Sequence, residues 1–195
     1  MFAHTFPKRD SPLKGQAISI AKVAVGGTQI YKHWMKVNKD EEDNYWYALA
    51  DVIKGAQGSL EGFVWFQGEN DSFDDWNKEN YLDNLTEFIA DVRQEIVYSS
   101  NGKFSSATDV PVVICELGNW IFGIDPTVIE AQRSFVANDS NSILVPTGAG
   151  PDPKETMTAF YHYNAASMLV IGNRVAKAMA NLLERNADQH NTLFE

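Results

Sequence analysis

A three-layer α/β/α sandwich, with a mostly parallel sheet between layers of helix, is the fold predicted by three features of this 195-residue chain. Short β-branched runs alternate with longer stretches whose apolar residues recur at helical spacing, the pattern of parallel strands joined by crossover helices. The run Asp109 to Leu117 (DVPVVICEL) is almost continuously apolar, as a strand covered on both faces must be. Polar, glycine-rich segments follow several of the runs, and open parallel sheets place their chemistry at the carboxyl ends of their strands.

In chain order, Ala17 to Val25 (AISIAKVAV) reads as a strand closed by Gly26-Gly27. Tyr45 to Lys54 has helical spacing and ends near Gly55, and Leu60 to Phe66 (LEGFVWF) is a second strand, stopped at Gln67-Gly68. Leu82, Leu85, Ile89, Val92 and Ile96 then share one face of a helix. The third strand, Asp109 to Leu117, precedes a helix over Val128 to Ala137 and a short strand over Ser142 to Val145. A final helix begins near Asn164, with Met168, Ile171, Val175, Met179 and Leu182 on its apolar stripe. These elements make one domain over residues 1–187, followed by a polar tail over 188–195 that is expected to fray.

Composition narrows the function. The hydrophobic fraction of 44% and charged fraction of 22% are those of a globular chain in water. No apolar run reaches the roughly 20 residues that a membrane span requires, so no membrane partner is expected. The first eight residues, MFAHTFPK, lack the basic and apolar regions of a secretory leader, and the compartment is left open. A net charge of −10 repels phosphate backbones and argues against nucleic acid. Cys115 is the only cysteine and lies within the third strand, which suits a buried packing residue. No H-x-x-x-H or H-E-x-x-H pattern offers a zinc site, and no cofactor is expected.

Four polar turns remain as candidate sites. Gly26-Gly27-Thr28 could present backbone N–H groups to an anion, or could simply be a tight turn needing positive φ. It has neither the G-x-G-x-x-G spacing of a dinucleotide fold nor the Gly-Lys-Ser/Thr of a P-loop. Trp65-Phe66-Gln67-Gly68-Glu69-Asn70-Asp71 packs two amides and two carboxylates into five residues at a strand end. Gln67 could donate to a developing oxyanion, and Glu69 and Asp71 could orient neighbours or contact substrate. Alternatively the segment is a polar loop with a helix cap at Asp71 or Ser72. Glu116-Leu117-Gly118-Asn119-Trp120 and Pro146-Thr147-Gly148 are the other two turns. Among the histidines, His162 just precedes the last helix, a position from which such folds supply a general base. His33 stands beside Trp34, and His4 and His190 lie at the termini.

Taken together these blocks resemble the SGNH-like sialate and xylan O-acetylesterases. That family shows a Gly-Gln-Ser-Asn block, then a Gly-Gly-Thr turn followed by Trp, then Trp-x-Gln-Gly-Glu-x-Asp, and a His before the last helix. The matching residues are Val23-Ala24-Val25-Gly26-Gly27-Thr28 with Trp34, Trp65 to Asp71, and His162-Tyr163-Asn164 running on to Ile171-Gly172-Asn173-Arg174. Glu130-Ala131-Gln132 also looks like the family's helix after its fourth strand. The resemblance implies an SGNH/flavodoxin-like sheet and an acetylated carbohydrate as substrate. It implies that His162 activates a serine, that Gly27 and Gln67 help form the oxyanion hole, and that Gly26, Thr28, Glu69, Asp71 and Trp34 bind substrate.

The chain departs from the family in two places. No Gly-Gln-Ser-Asn occurs in it, so the resemblance implies a domain incomplete at the N-terminus, lacking the first, central strand and its serine. Neighbouring strands would then have unpaired ladder groups, and self-association through the open sheet is expected. The family's Asp three residues before the histidine is Ala159 here, which leaves Asp152 or Glu155 as acid partners for His162. Three readings stand: part of an active esterase; an inactive relative that binds glycans through Trp34, Trp65, Trp76 and Trp120; or an enzyme that recruits another nucleophile such as Ser72.

Overall fold

The computed structural model describes residues 18–57, 60–118, 125–148, 157–159 and 162–192. The elements in chain order are α1 (Ile30–Trp34), α2 (Trp46–Gly55), β1 (Phe63–Trp65), α3 (Asp75–Glu79) and α4 (Tyr81–Ser99). They continue with β2 (Val112–Glu116), α5 (Pro126–Ala137), β3 (Ser142–Pro146), β4 (Met157–Ala159), β5 (His162–Tyr163) and α6 (Ala165–Thr192). β1, β2 and β3 form one parallel sheet in that order, Phe63 opposite Val112 and Val112 opposite Ser142. Each strand returns to its neighbour through a helix, which gives the expected α/β sandwich.

Period-two alternation along the strands assigns the two faces. Trp65, Val112 and Ile114 pack with Trp46, Leu49 and Ile53 of α2, Phe88, Ile89 and Val92 of α4, and Val128 and Phe135 of α5. Val113, Cys115 and Val145 turn to the opposite side and meet Ile171, Val175, Ala178 and Leu182 of α6. β2 is buried along nearly its whole length because both faces are covered, as its unbroken apolar run requires.

Local signals fix several ends. Asp125 caps α5, its carboxylate accepting from the Thr127 N–H at 2.9 Å, and Pro126 occupies the first turn, where its missing N–H costs nothing. Asp74 caps α3 by accepting from the Asn77 N–H at 2.8 Å. Behind the sheet, buried Arg93 of α4 donates to the Val110 carbonyl, to the Asp139 carboxylate and to the Asn141 carbonyl. It thereby clasps the segments that lead into β2 and β3.

Four expectations need correction. Ile18 to Val25 form no strand: these residues are mostly exposed and have no ladder partner among the described residues, and β-propensity without a neighbouring strand does not make one. β1 is shorter than Leu60 to Phe66, and on its side away from β2 no described strand pairs with it. Val64, which points away from the face that carries Phe63 and Trp65, is 41% exposed. α6 continues past Asp188 to Thr192, and its buried stripe begins at Ile171, since Met168 is 48% exposed. Among the described residues no helix is long and apolar enough to cross a membrane.

Candidate active site

Two turns from distant parts of the chain are bound together at the carboxyl end of β1. The buried Gln67 side chain donates through Nε2 to the Thr28 carbonyl at 2.6 Å and to Asp71 Oδ2 at 2.5 Å. Asp71, fully buried, also accepts from the Ile30 N–H at 3.0 Å. Asn70 Nδ2 donates to the Gly27 carbonyl at 2.8 Å. The segment from Gly27 to Ile30 therefore has its backbone held by three side chains of the Gln-Gly-Glu-Asn-Asp loop. Gly26 and Gly27 remain at the surface, and Gly27 adopts φ +72, a conformation that glycine takes without the Cβ penalty.

The backbone of Gln67 is fixed just as firmly. Its carbonyl accepts from the Tyr81 hydroxyl at 2.9 Å and from Gln132 Nε2 at 3.1 Å. Gln132 Oε1 in turn accepts from the Leu117 N–H at 2.9 Å, so one fully buried side chain of α5 ties the ends of β1 and β2 together. Gly68 has φ +135, and a Cβ there would come within 2.9 Å of both Leu117 and Tyr81. Any larger residue there would adopt a strained backbone and push both side chains aside. Tyr81 and Gln132 were not singled out as site residues from the sequence. A polar residue on the buried side of an otherwise apolar helix stripe was the signal available for both.

Burial shapes the charges of the loop. It pushes the Asp71 carboxyl up to about 6 from its ordinary 3.8, against the opposing effect of the Gln67 and Ile30 hydrogen bonds. The Glu69 carboxyl is raised too, chiefly by burial, while backbone N–H groups and the nearby charge of His162 pull it back. Cys115 is buried and its thiol is pushed up to about 12, so it holds its proton at neutral pH and serves as packing. Among the described residues no group of three or more His, Cys, Asp or Glu side chains could hold a metal ion.

His162 approaches this loop from β5. Its neighbour Tyr163 packs against Phe66, ring centroids 5.6 Å apart, and shares a 2.5 Å hydrogen bond with Thr147 at the end of β3. His162 is exposed and is paired in register with Ala159 across β4 and β5. Asp152 and Glu155 lie outside the described residues, as do Asn119 and Trp120. Glu69 is a described carboxylate whose charge reaches His162.

Several candidates are placed in roles other than those expected. Trp34 is 3% exposed, with its ring edge-on to the buried Trp65 and its Nε1 donating to Thr28 Oγ1 at 2.9 Å. It braces the turn from the core and offers no face to a substrate. Thr28 is buried as well. Ser72 is buried, with its hydroxyl donating to the Gly68 carbonyl at 3.3 Å, which is the geometry of a turn rather than of a nucleophile. His33 closes α1 on itself through Gln29.

Glycine turns and polar loops gather at the carboxyl ends of a parallel sheet, where open α/β folds place their sites. Residues 1–181 match the family profile described as carbohydrate esterase, sialic acid-specific acetylesterase, and the chain belongs to that family. No curated protein and no solved structure gives a significant match.

Proposed function

We propose that this chain carries the base and the oxyanion side of a serine esterase site that removes O-acetyl groups from a sugar or polysaccharide. The observation that supports it most is the strapping of the Gly27 segment by Gln67, Asn70 and Asp71, in a loop whose Glu69 feels the charge of His162. In this reading His162 takes the proton of a serine hydroxyl as its oxygen attacks the acetyl carbon. The oxyanion that forms accepts from the Gly27 N–H and from Gln67 Nε2, with the acyl oxygen competing against the Thr28 carbonyl for one Gln67 hydrogen. Collapse expels the sugar oxygen, which takes the proton from His162, and water then releases acetate by the same steps in reverse.

The serine belongs to the Gly-Gln-Ser-Asn block, which these 195 residues do not contain. The test therefore uses the protein as its reading frame encodes it, including any residues ahead of Met1. Hydrolysis of p-nitrophenyl acetate is expected, and His162→Ala should lower kcat by about 10³-fold or more. Turnover indifferent to that substitution would overturn the reading. A protein that binds acetylated sugar but hydrolyses neither it nor p-nitrophenyl acetate would instead be the inactive glycan-binding relative.

We further propose that the open edge of β1 is where a second chain adds, because β1 is the end strand of the parallel sheet and no described strand pairs with its outer side. The mass measured by sedimentation equilibrium for the 195-residue chain should rise with concentration; a constant monomer mass would dispose of this interface.

A further inference from the structure

Beside the candidate site, two exposed aromatic side chains stand together. Tyr31 on α1 is 38% exposed and Trp76 on α3 is 49% exposed, and their rings meet edge to face with centroids 4.7 Å apart. Trp76 is the exposed member of the three tryptophans considered above for glycan contact that fall within the described residues. Each ring follows one of the two turns of the site. Tyr31 comes directly after Ile30, whose N–H is held by Asp71, and Trp76 lies five residues past Asp71. The buried Asp71 carboxylate thus holds the backbone directly before Tyr31, and Trp76 follows in the next helix.

Single exposed aromatics are ordinary, whereas a contiguous exposed pair beside a candidate site is a surface on which a ligand can settle. Half-exposed Tyr and Trp rings offer roughly 150–200 Å² between them, whereas a stable protein interface needs about 800 Å² per partner. That area suits one or two sugar rings. The C–H groups on the flat face of a pyranose carry partial positive charge and stack on the electron-rich face of an aromatic ring, leaving the hydroxyl rim to water. The charges flanking the pair are already paired: Lys32 with Asp43, and Lys78 with Asp75 and Asp125. With a net charge of −10 on the chain, the described lysines flanking the pair leave no excess positive charge to favour an acidic ligand.

We infer that Tyr31 and Trp76 form a stacking platform for a neutral pyranose unit of the glycan, one sugar removed from the acetyl group. This rests on the carbohydrate reading of the neighbouring site. The test is an NMR titration of the full chain with xylohexaose, and separately with 3′-sialyllactose, following the Trp76 indole N–H. Xylohexaose is expected to move that resonance with a millimolar Kd. Trp76→Ala and Tyr31→Ala should weaken binding about tenfold and fivefold, and Trp76→Phe by no more than about twofold, with folding checked by circular dichroism. A Trp76 resonance unmoved by xylohexaose, or binding undiminished in folded Trp76→Ala, overturns the platform. Movement with sialyllactose alone overturns its preference for neutral sugars. Failure of the esterase reading shows elsewhere, as p-nitrophenyl acetate turnover indifferent to His162→Ala, so the two failures are distinguishable.

Discussion

Asp71→Ala is expected to destabilise the protein by several kcal/mol, at roughly 1–3 kcal/mol for each buried donor it strands. The donors are the Ile30 N–H and one hydrogen of Gln67 Nε2, both on buried residues. Asp71→Asn keeps the shape and separates the charge from the geometry. The native Asp71 carboxyl titrates at about 6, against 3.8 in the unfolded chain, because burial disfavours its ionised form. Between these values the native state binds more protons than the unfolded state, so stability falls as pH rises from about 4 to 6. A shift of about two units corresponds to a loss on the order of 3 kcal/mol across that window. The amide introduced by Asp71→Asn carries no such proton, and the loss disappears with it. Urea unfolding of both proteins at pH 4, 5, 6 and 7 should show Asp71→Asn gaining on the parent by that amount as pH rises. Parallel stability curves would refute the assignment. The Glu69 carboxyl, raised in the same direction, is present in both proteins and cancels from the comparison.

Asp71 also shows where the sequence was readable and where it was not. Its block stood out because amides, carboxylates and glycine cluster at a strand end, and that local density needs no structure to be seen. Its partner did not stand out. The bond from Ile30 N to Asp71 spans 41 residues and depends on backbone, which has no side-chain signature. Trp34 was misplaced for a related reason: an aromatic beside a glycine turn looks the same in sequence whether it faces solvent or core. Helices α4 and α5 were legible because 3.6-residue periodicity is a local property of one segment. The run Ile18 to Val25 was not, because a strand is defined by its neighbour, and a β-branched run carries no record of whether a partner lies alongside.

Arg93→Met is expected to cost about 2–4 kcal/mol, since it strands the Val110 and Asn141 carbonyls and removes the partner of the part-buried Asp139. Arg93 is 5% exposed, and its guanidinium donates to the Asp139 carboxylate from both terminal nitrogens, to the Val110 carbonyl at 3.0 Å and to the Asn141 carbonyl at 3.3 Å. Val110 precedes β2 and Asn141 precedes β3, so a single planar cation sets where both strands begin. Lysine cannot reproduce that fork, and Arg93→Lys should recover only part of the loss. Burial pushes the Asp139 carboxyl up, but the hydrogen bonds and charge of Arg93 outweigh it and hold the group below the ordinary carboxylate range. A depressed native carboxyl contributes stability that is present above about pH 4 and is lost as pH falls. Its sign is therefore opposite to that of Asp71. Asp139→Asn should flatten the acid limb of the stability profile while leaving the decline between about pH 4 and 6 intact, and Asp71→Asn should do the reverse. An acid limb unchanged in Asp139→Asn would mean that the clasp is held by the Arg93 bonds to backbone carbonyls, with the carboxylate contributing little.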